Sequence, residues 1–366
     1  VQGSLRQFIQ NANAITGENV MRFVPAEPTN ATDGTNDWWR VSVTNGLPSV
    51  DDPFTTVDGT AYSFADGVTV LNPNPTMLGT GGTVGVDDLA LPQVPGPELE
   101  LLGDGAVDTG LGISDEGDNS TVRRLAISRF LYNGLATTGS LTNKLTGVLA
   151  EENVLGSGPS AFVDPGAGNR QMRSIYAFHT EVSGTIRNNL IGFADTTAIP
   201  LTFSARDLLI QGNEIRGAVF AGLAITYSSS QISGDITVRG NLIDGNGDTG
   251  LTMYGSDGSN VIENNTITNN GATSATSGVN IWGVGNTVSR NIITGNAASG
   301  VAVVGQRPTT APTWPASINN RISHNTFGSN GGIAIDLVES TDVDVDHFAG
   351  DLVTLTAGTD ATTGNN

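Results

Sequence analysis

The sequence predicts an all-β chain, a right-handed parallel β-helix solenoid with an N-terminal capping α-helix, and three observations predict it. The first is a recurring frame: LIQGNEI (209–215), TVRGNLI (237–243), VIENNTI (261–267), TVSRNII (287–293) and RISHNTF (321–327) align, and TIRNNLI (185–191) and LAEENVL (149–155) fit upstream. The shared residues are Asn153, Asn189, Asn213, Asn241, Asn265, Asn291 and Asn325, a unit in the mid-twenties with occasional insertions. The second is a Gly-opened segment in each unit: GLAI (222–225), GLTM (250–253), GVNI (278–281), GVAV (300–303) and GIAI (332–335). The third is period-two alternation, as in Thr237-Val238-Arg239, which signals short strands rather than helices.

Short strands broken by Gly/Asn turns cannot bury their own apolar face, so each unit needs copies of itself above and below. Stacked, the shared Asn residues would form a ladder at one corner. Their amides, roughly 4.8 Å apart, would hydrogen-bond along the stack, and Asn tolerates the left-handed backbone of a sharp turn.

The elements follow in order. In SLRQFIQNANA (4–14), Leu5, Phe8, Ile9 and Ala12 have helical spacing, and Ser4 with Gln7 makes a capping box. This helix is expected to cover the first coil's open edge, with residues 1–23 as cap and first strand. Residues 24–120 are broken by prolines into irregular coils with loop insertions, WWRVSV (38–43) and PELELLG (97–103) being strands. Regular coils run over 121–338, beginning with TVRRLAI (121–127), where Leu125 stands in the Asn place. Within them QRPTTAPTWPA (306–316) reads as a protruding loop. Residues 339–366 form an acidic and polar junction, and the chain is expected to continue past it into further modules of the same polypeptide.

Composition narrows the function. The 366 residues include no Cys, 48 Gly and a formal net charge of −20. An acidic surface repels phosphate, so nucleic acid is not an expected partner. No apolar run is long enough for a membrane span, so membrane insertion is not expected either. The lack of Cys removes zinc–thiolate sites and cysteine nucleophiles.

These repeats resemble the pectin-lyase-like superfamily. GSLRQFIQNANA (3–14), NGLPSVDDPFTTVDGT (45–60), GPELELLGDGA (96–106), NSTVRRLAISRF (119–130) and GGIAIDL (331–337) are similar more narrowly to CSLREA-type secreted bacterial surface proteins, with Gly3 in place of that motif's cysteine. The resemblance implies a secreted or cell-surface module with an adhesive or structural role. The superfamily also implies the alternative, a lyase or hydrolase acting on acidic polysaccharide.

The chemistry of such an enzyme is not evident in the residues. Hydrolysis needs two carboxylates at defined separation. The acidic pairs Asp51-Asp52 and Asp87-Asp88 read as turn residues, as do Asp235, Asp244, Asp248 and Asp257 beside Gly or Asn. Arg187, Arg239 and Arg290 recur at nearly corresponding positions, a stripe suited to carboxylated sugars or simply a solvated face. His324 adjoins Asn325 and suits a corner. Trp38, Trp39, Trp282 and Trp314 could stack on sugar rings, though indoles packed under loops explain them equally. Asp342, Asp344 and Asp346 alternate near the end of the helix, with Asp336 before them and Asp351 after, and could gather calcium, although His347 replaces the Gly of an EF-hand loop. The expectation is a non-catalytic spacer, adhesin or assembly unit requiring no cofactor beyond possible calcium. Its expected partners are surface polysaccharide or copies of itself.

Overall fold

A computed structural model describes residues 3–138, 143–177, 181–202, 205–226, 234–254, 259–305 and 317–338. Trp314, Asp257, Asp342, Asp344, Asp346, His347 and Asp351 lie outside the described residues. The chain winds as a right-handed parallel β-helix. Three long sheets of ten, nine and eleven strands run its length. At about 4.8 Å per strand the stack is on the order of 45 Å long. One turn through the regular region visits Thr237–Arg239 in the first sheet, Leu242–Asp244 in the third and Leu251–Tyr254 in the second. The next turn, Val261–Glu263, Thr266–Thr268 and Val279–Trp282, pairs with it in parallel register throughout.

Alternation decides which side chains enter the interior. Val238, Ile243, Leu251 and Met253 of one turn are fully buried, as are Ile262, Ile267, Val279 and Ile281 of the next. They join one continuous core that begins under the N-terminal helix and includes Ile322 of the last turn. The first sheet is irregular at Leu145–Val148 and Val182–Gly184, where register shifts interrupt the pairing. A small apolar cavity lies among Ile113, Leu135, Val148, Ile175, Val182 and Leu201.

The cap helix spans Leu5–Ala12 and buries Ile9 and Ala12. Half of the capping box forms: Ser4 Oγ accepts from the Gln7 backbone N–H at 3.2 Å, while Gln7 Nε2 donates instead to Asn11 Oδ1 at 2.8 Å. The first-sheet edge below it, Asn19–Val20, is only two residues long, too short to template further pairing.

Three corners per turn share one construction. A residue at positive φ turns the chain, and the next side chain points inward. Before the predicted Asn series the turning residues are Glu152, Asn188, Gly212, Gly240, Asn264, Arg290 and His324, with φ between 52° and 65°. The left-handed residue is therefore the one preceding each Asn, which corrects the expectation that Asn itself adopts that geometry. The inward Asn has a different task. Asn241 Nδ2 donates to Asn265 Oδ1 (2.9 Å) and to the carbonyls of Ile210 (2.8 Å) and Arg239 (3.1 Å). Its Oδ1 accepts both the backbone N–H and the Nδ2 of Asn213. The same Asn-to-Asn bonds join Asn153 to Asn189, Asn189 to Asn213, Asn265 to Asn291 and Asn291 to Asn325. At the top, the Leu125 backbone N–H donates to Asn153 Oδ1.

Two further columns were not anticipated. Asn246, Asn270, Asn296 and Asn330 bond successively at the second corner. At the third, Asn260 donates to Asn286, which donates to Asn320.

Residues 72–97 leave the coil. Met77–Leu78 pairs antiparallel with Val94–Pro95, and Thr83–Val84 with Leu89–Ala90, making one long hairpin. It lies along the outer face of the third sheet. Leu78 and Val94 pack on Ala126, Val154 and Leu190. Further along, Glu214 accepts from the Thr80 backbone N–H (2.6 Å) and hydroxyl (3.1 Å). The Gly85 N–H reaches Thr266 Oγ1 at 3.1 Å, and the Val86 N–H reaches the Arg290 carbonyl at 2.8 Å. The hairpin thus leaves near the strand Leu99–Gly103 and ends beside Ile292–Thr294, seven strands away in the sheet order.

Candidate binding faces

Each sheet presents a different outer face. On the first, a column of side chains in register reads Asp58, Arg123, Glu151, Arg187, Gln211, Arg239, Glu263, Ser289. Each of its arginines pairs with a carboxylate of an adjacent strand. Arg123 lies 2.8 Å from Asp58 and 3.8 Å from Glu151, Arg187 is 2.7 Å from Glu151, and Arg239 is 3.4 Å from Glu263. Opposite charges directly across a strand pair stabilise by a few tenths of a kcal/mol to about 1 kcal/mol. The arginine stripe is compensated along its length. Arg290 is not part of it: it turns a corner and pairs with Asp87 at 2.8 Å. Arg216 sits on the third sheet beside buried Glu214, 2.9 Å away, with its guanidinium over the Phe162 ring.

On the second sheet, Tyr254 and Trp282 occupy adjacent strands in register, with ring centroids 4.9 Å apart. Trp282 also packs against Ala302, Val304 and Val338. The Arg173 guanidinium lies 4.3 Å over the Tyr176 ring. Asp336, the described member of the predicted acidic group, is buried and accepts from Ser299 Oγ at 3.1 Å. Among the described residues no three of His, Cys, Asp and Glu are grouped to hold a metal ion.

The other tryptophans of the N-terminal third are occupied by packing. Trp38 is buried, donates Nε1 to Glu100 Oε2 at 2.7 Å, and lies beside Arg40, which pairs with the same oxygen at 2.6 Å. Trp39 stacks edge-on against Phe23 and donates to the Glu27 carbonyl. Asp51 and Asp52 accept from Asn13 and Asn19 respectively, tying the cap to the coil below. Asp88 turns the hairpin tip at φ 50°. Asp87 does more than turn a loop, since it bridges to Arg290 and Asn264.

Hydrogen bonding sets the clearest carboxyl shifts at the surface. Asp66 is lowered to about 2, chiefly by the Thr69 hydroxyl and then by backbone N–H groups. Asp164 is lowered by its hydrogen bond to Arg170. Glu98 moves the other way, pushed up to about 7 because burial disfavours its charged form.

Three stacked parallel sheets around one core define the class, a parallel β-helix protein. Residues 163–338 match the family described as periplasmic copper-binding protein (NosD). No curated protein sequence matches the chain. Among solved structures, the A-module of Azotobacter vinelandii mannuronan C-5 epimerase AlgE4 is similar at 14% identity, covering 91% of this chain and 92% of that one with a TM-score of 0.45. The periplasmic alginate epimerase AlgG is similar at 14% identity, covering 83% and 69% with a TM-score of 0.41. The Dettilon tailspike protein is similar at 13% identity, covering 90% and 64% with a TM-score of 0.42. Likeness at this level assigns no chemistry.

Copper draws on His, Cys and Met donors. The chain has no Cys, Met21 and Met253 are buried, and among the described residues no three of His, Cys, Asp and Glu, the exposed His324 included, are grouped to hold a metal ion.

Proposed function

We propose that this chain is a non-catalytic β-helix module of an exported bacterial protein, serving as a rigid spacer, adhesin or surface-assembly unit. The observation that carries the reading is the charged column of the first sheet. Each strand-borne guanidinium there is held by a carboxylate of a neighbouring turn, so the face is self-neutralising. Three continuous sheets and their amide columns give the stiffness a spacer needs. A match to a family of periplasmic proteins supports a periplasmic or extracellular setting.

The test is incubation of the chain with pectate, alginate and related uronic-acid polymers in calcium. The expected result is no unsaturated product, no new reducing ends and no change of sugar configuration by proton NMR. Turnover that disappears on substituting one carboxylate would overturn the reading in favour of an enzyme on acidic polysaccharide.

The stacked Tyr254–Trp282 pair favours a second reading, polysaccharide binding on the second sheet, because aromatic faces suit the apolar face of a sugar ring. Polysaccharide that quenches tryptophan fluorescence saturably, and no longer does so in Trp282→Ala, would support it. Equal binding by that variant would sink it.

A further inference from the structure

Asparagine followed by glycine occurs at five places: Asn45-Gly46, Asn133-Gly134, Asn246-Gly247, Asn270-Gly271 and Asn330-Gly331. Such a pair can cyclise, because glycine has no side chain to keep its backbone nitrogen away from the preceding amide. In the second-corner column both reacting groups are occupied. Asn270 Nδ2 donates to Asn296 Oδ1 and to the carbonyls of Ile243 and Thr268, while the Gly271 N–H donates to the carbonyls of Asn246 and Asp248. Asn246 and Asn330 are bonded into the same column, and the Gly247 and Gly331 N–H groups donate to the carbonyls of Ala218 and Asn296. Asn133 opens the strand Asn133–Thr138 and is only 9% exposed.

Asn45 and Gly46 are held differently. Both are exposed, on the bend that follows the strand Asp37–Val43. Among the described residues nothing hydrogen-bonds the Asn45 side chain or accepts from the Gly46 N–H. The cap helix does reach the main chain here: Arg6 Nη2 donates to the Asn45 carbonyl at 2.8 Å and to the Gly46 carbonyl at 2.8 Å. The Asn45 carbonyl belongs to the same peptide group as the Gly46 nitrogen. When that N–H loses its proton, the negative charge is shared between the nitrogen and the carbonyl oxygen that the guanidinium already holds. A donor fixed where charge develops lowers the barrier to forming it.

We propose that Asn45-Gly46 is a deamidation site of this chain, and that Arg6 stabilises the peptide anion that starts the reaction. The Gly46 nitrogen, its proton taken by base in solution, attacks Asn45 Cγ. A new C–N bond closes a succinimide ring, the Cγ–Nδ2 bond breaks and ammonia leaves. Water then opens the ring at either carbonyl, leaving aspartate or isoaspartate. Either product places a carboxylate beside Arg6. Isoaspartate also adds a methylene to the main chain where Arg6 holds it, which loosens the tether between the cap helix and the coil below. The column asparagines are spared, because attack there would first have to break buried hydrogen bonds at both the amide and the glycine N–H.

The test is incubation of the whole chain at mildly alkaline pH in isotopically labelled water, followed by peptide mapping and by isoaspartate detection with an isoaspartyl methyltransferase. Label should enter Asn45 several-fold faster than any other Asn-Gly pair, and faster still as pH rises, because the N–H must ionise. Gly46→Val, which crowds the attacking nitrogen, should abolish labelling there. Arg6→Met should slow it several-fold and Arg6→Lys should restore part of the rate, with melting curves establishing that both variants are folded. Asn45 left intact, or labelled no faster than Asn246 or Asn270, overturns the site. Conversion in Arg6→Met as fast as in the parent, or faster, overturns the part assigned to Arg6.

Discussion

The regular coils and the hairpin of residues 77–95 that lies along them are held in opposite ways. In the coils, each contact is repeated: Asn213, Asn241, Asn265 and Asn291 make the same amide bonds, turn after turn. In the hairpin, each contact is made once. Leu78 meets Leu190, Thr80 meets Glu214, Gly85 meets Thr266 and Asp87 meets Arg290. Stability is concentrated in the repeated contacts. A repeated buried contact couples to the copies above and below, so its loss spreads. A single contact near solvent can be lost alone, with its neighbours along the hairpin still in place.

The largest loss is expected inside a column. Asn265 accepts from Asn241 through two bonds and donates to Asn291 Oδ1 and the carbonyls of Val238 and Glu263. Asn265→Leu strands all of these groups in the interior and should destabilise the chain by about 3 kcal/mol or more. Chemical denaturation monitored by circular dichroism checks it. A midpoint within error of the parent would show that the amide bonds contribute nothing net.

The same contrast explains what was legible in the sequence. Periodicity reveals what repeats, and the first Asn series repeats in seven aligned segments. The other two columns were readable as well: Asn260, Asn265 and Asn270 stand five residues apart, and so do Asn286, Asn291 and Asn296. Five is the length of a three-residue strand with its turning residue and inward Asn. Compensation of the arginine stripe was also present, in the third letter of each aligned frame: Arg123, Glu151, Arg187, Gln211, Arg239, Glu263. The hairpin gave no such signal. Its partners lie up to 203 residues away, and no period links Asp87 to Arg290. For the same reason Trp38 and Trp39 resembled stacking platforms. Nothing local in WWRVSV indicates that Glu100 and the Glu27 carbonyl already hold both indoles.

A second effect, of intermediate size, belongs to the hairpin root. Glu98 titrates near 7 in the folded chain against an ordinary value of 4.5. The folded state therefore holds a proton that the unfolded state releases between those values. Stability contributed by this group is highest below about pH 4.5, falls as pH rises to about 7, and is level above. The full loss is about 3 kcal/mol at most. Asp66 and Asp164, both lowered, act in the opposite sense and only at more acidic pH, where protonation removes their hydrogen-bond contributions. Denaturation between about pH 5 and about pH 8 should thus show a decline that Glu98→Gln flattens. An identical slope in both proteins would mean that Glu98 does not carry it.

The smallest effect is expected at the hairpin tip. Asp87 lies 2.8 and 3.0 Å from Arg290 Nη1, and both side chains are near half exposed, at 41% and 49%. Pairs so wet contribute about 0.2–1 kcal/mol, and salt screens them. Asp87→Ala removes this pair and the bond from Asn264 Nδ2, but leaves three backbone attachments: Gly85 to Thr266, Val86 to the Arg290 carbonyl, and Asp87 N–H to Asn264 Oδ1. The loss should therefore stay below about 1 kcal/mol and shrink further in high salt. A double-mutant cycle with Arg290→Gln isolates the pair, since Gln keeps the backbone carbonyl that Val86 uses. Limited proteolysis supplies an independent readout, because a tip held by its backbone should resist cleavage in the variant nearly as in the parent. A loss approaching that of Asn265→Leu, together with rapid cutting between Thr83 and Ala90, would show that the tip fastens the whole hairpin. Single contacts would then be as consequential as repeated ones, and the contrast drawn from the two regions would fail.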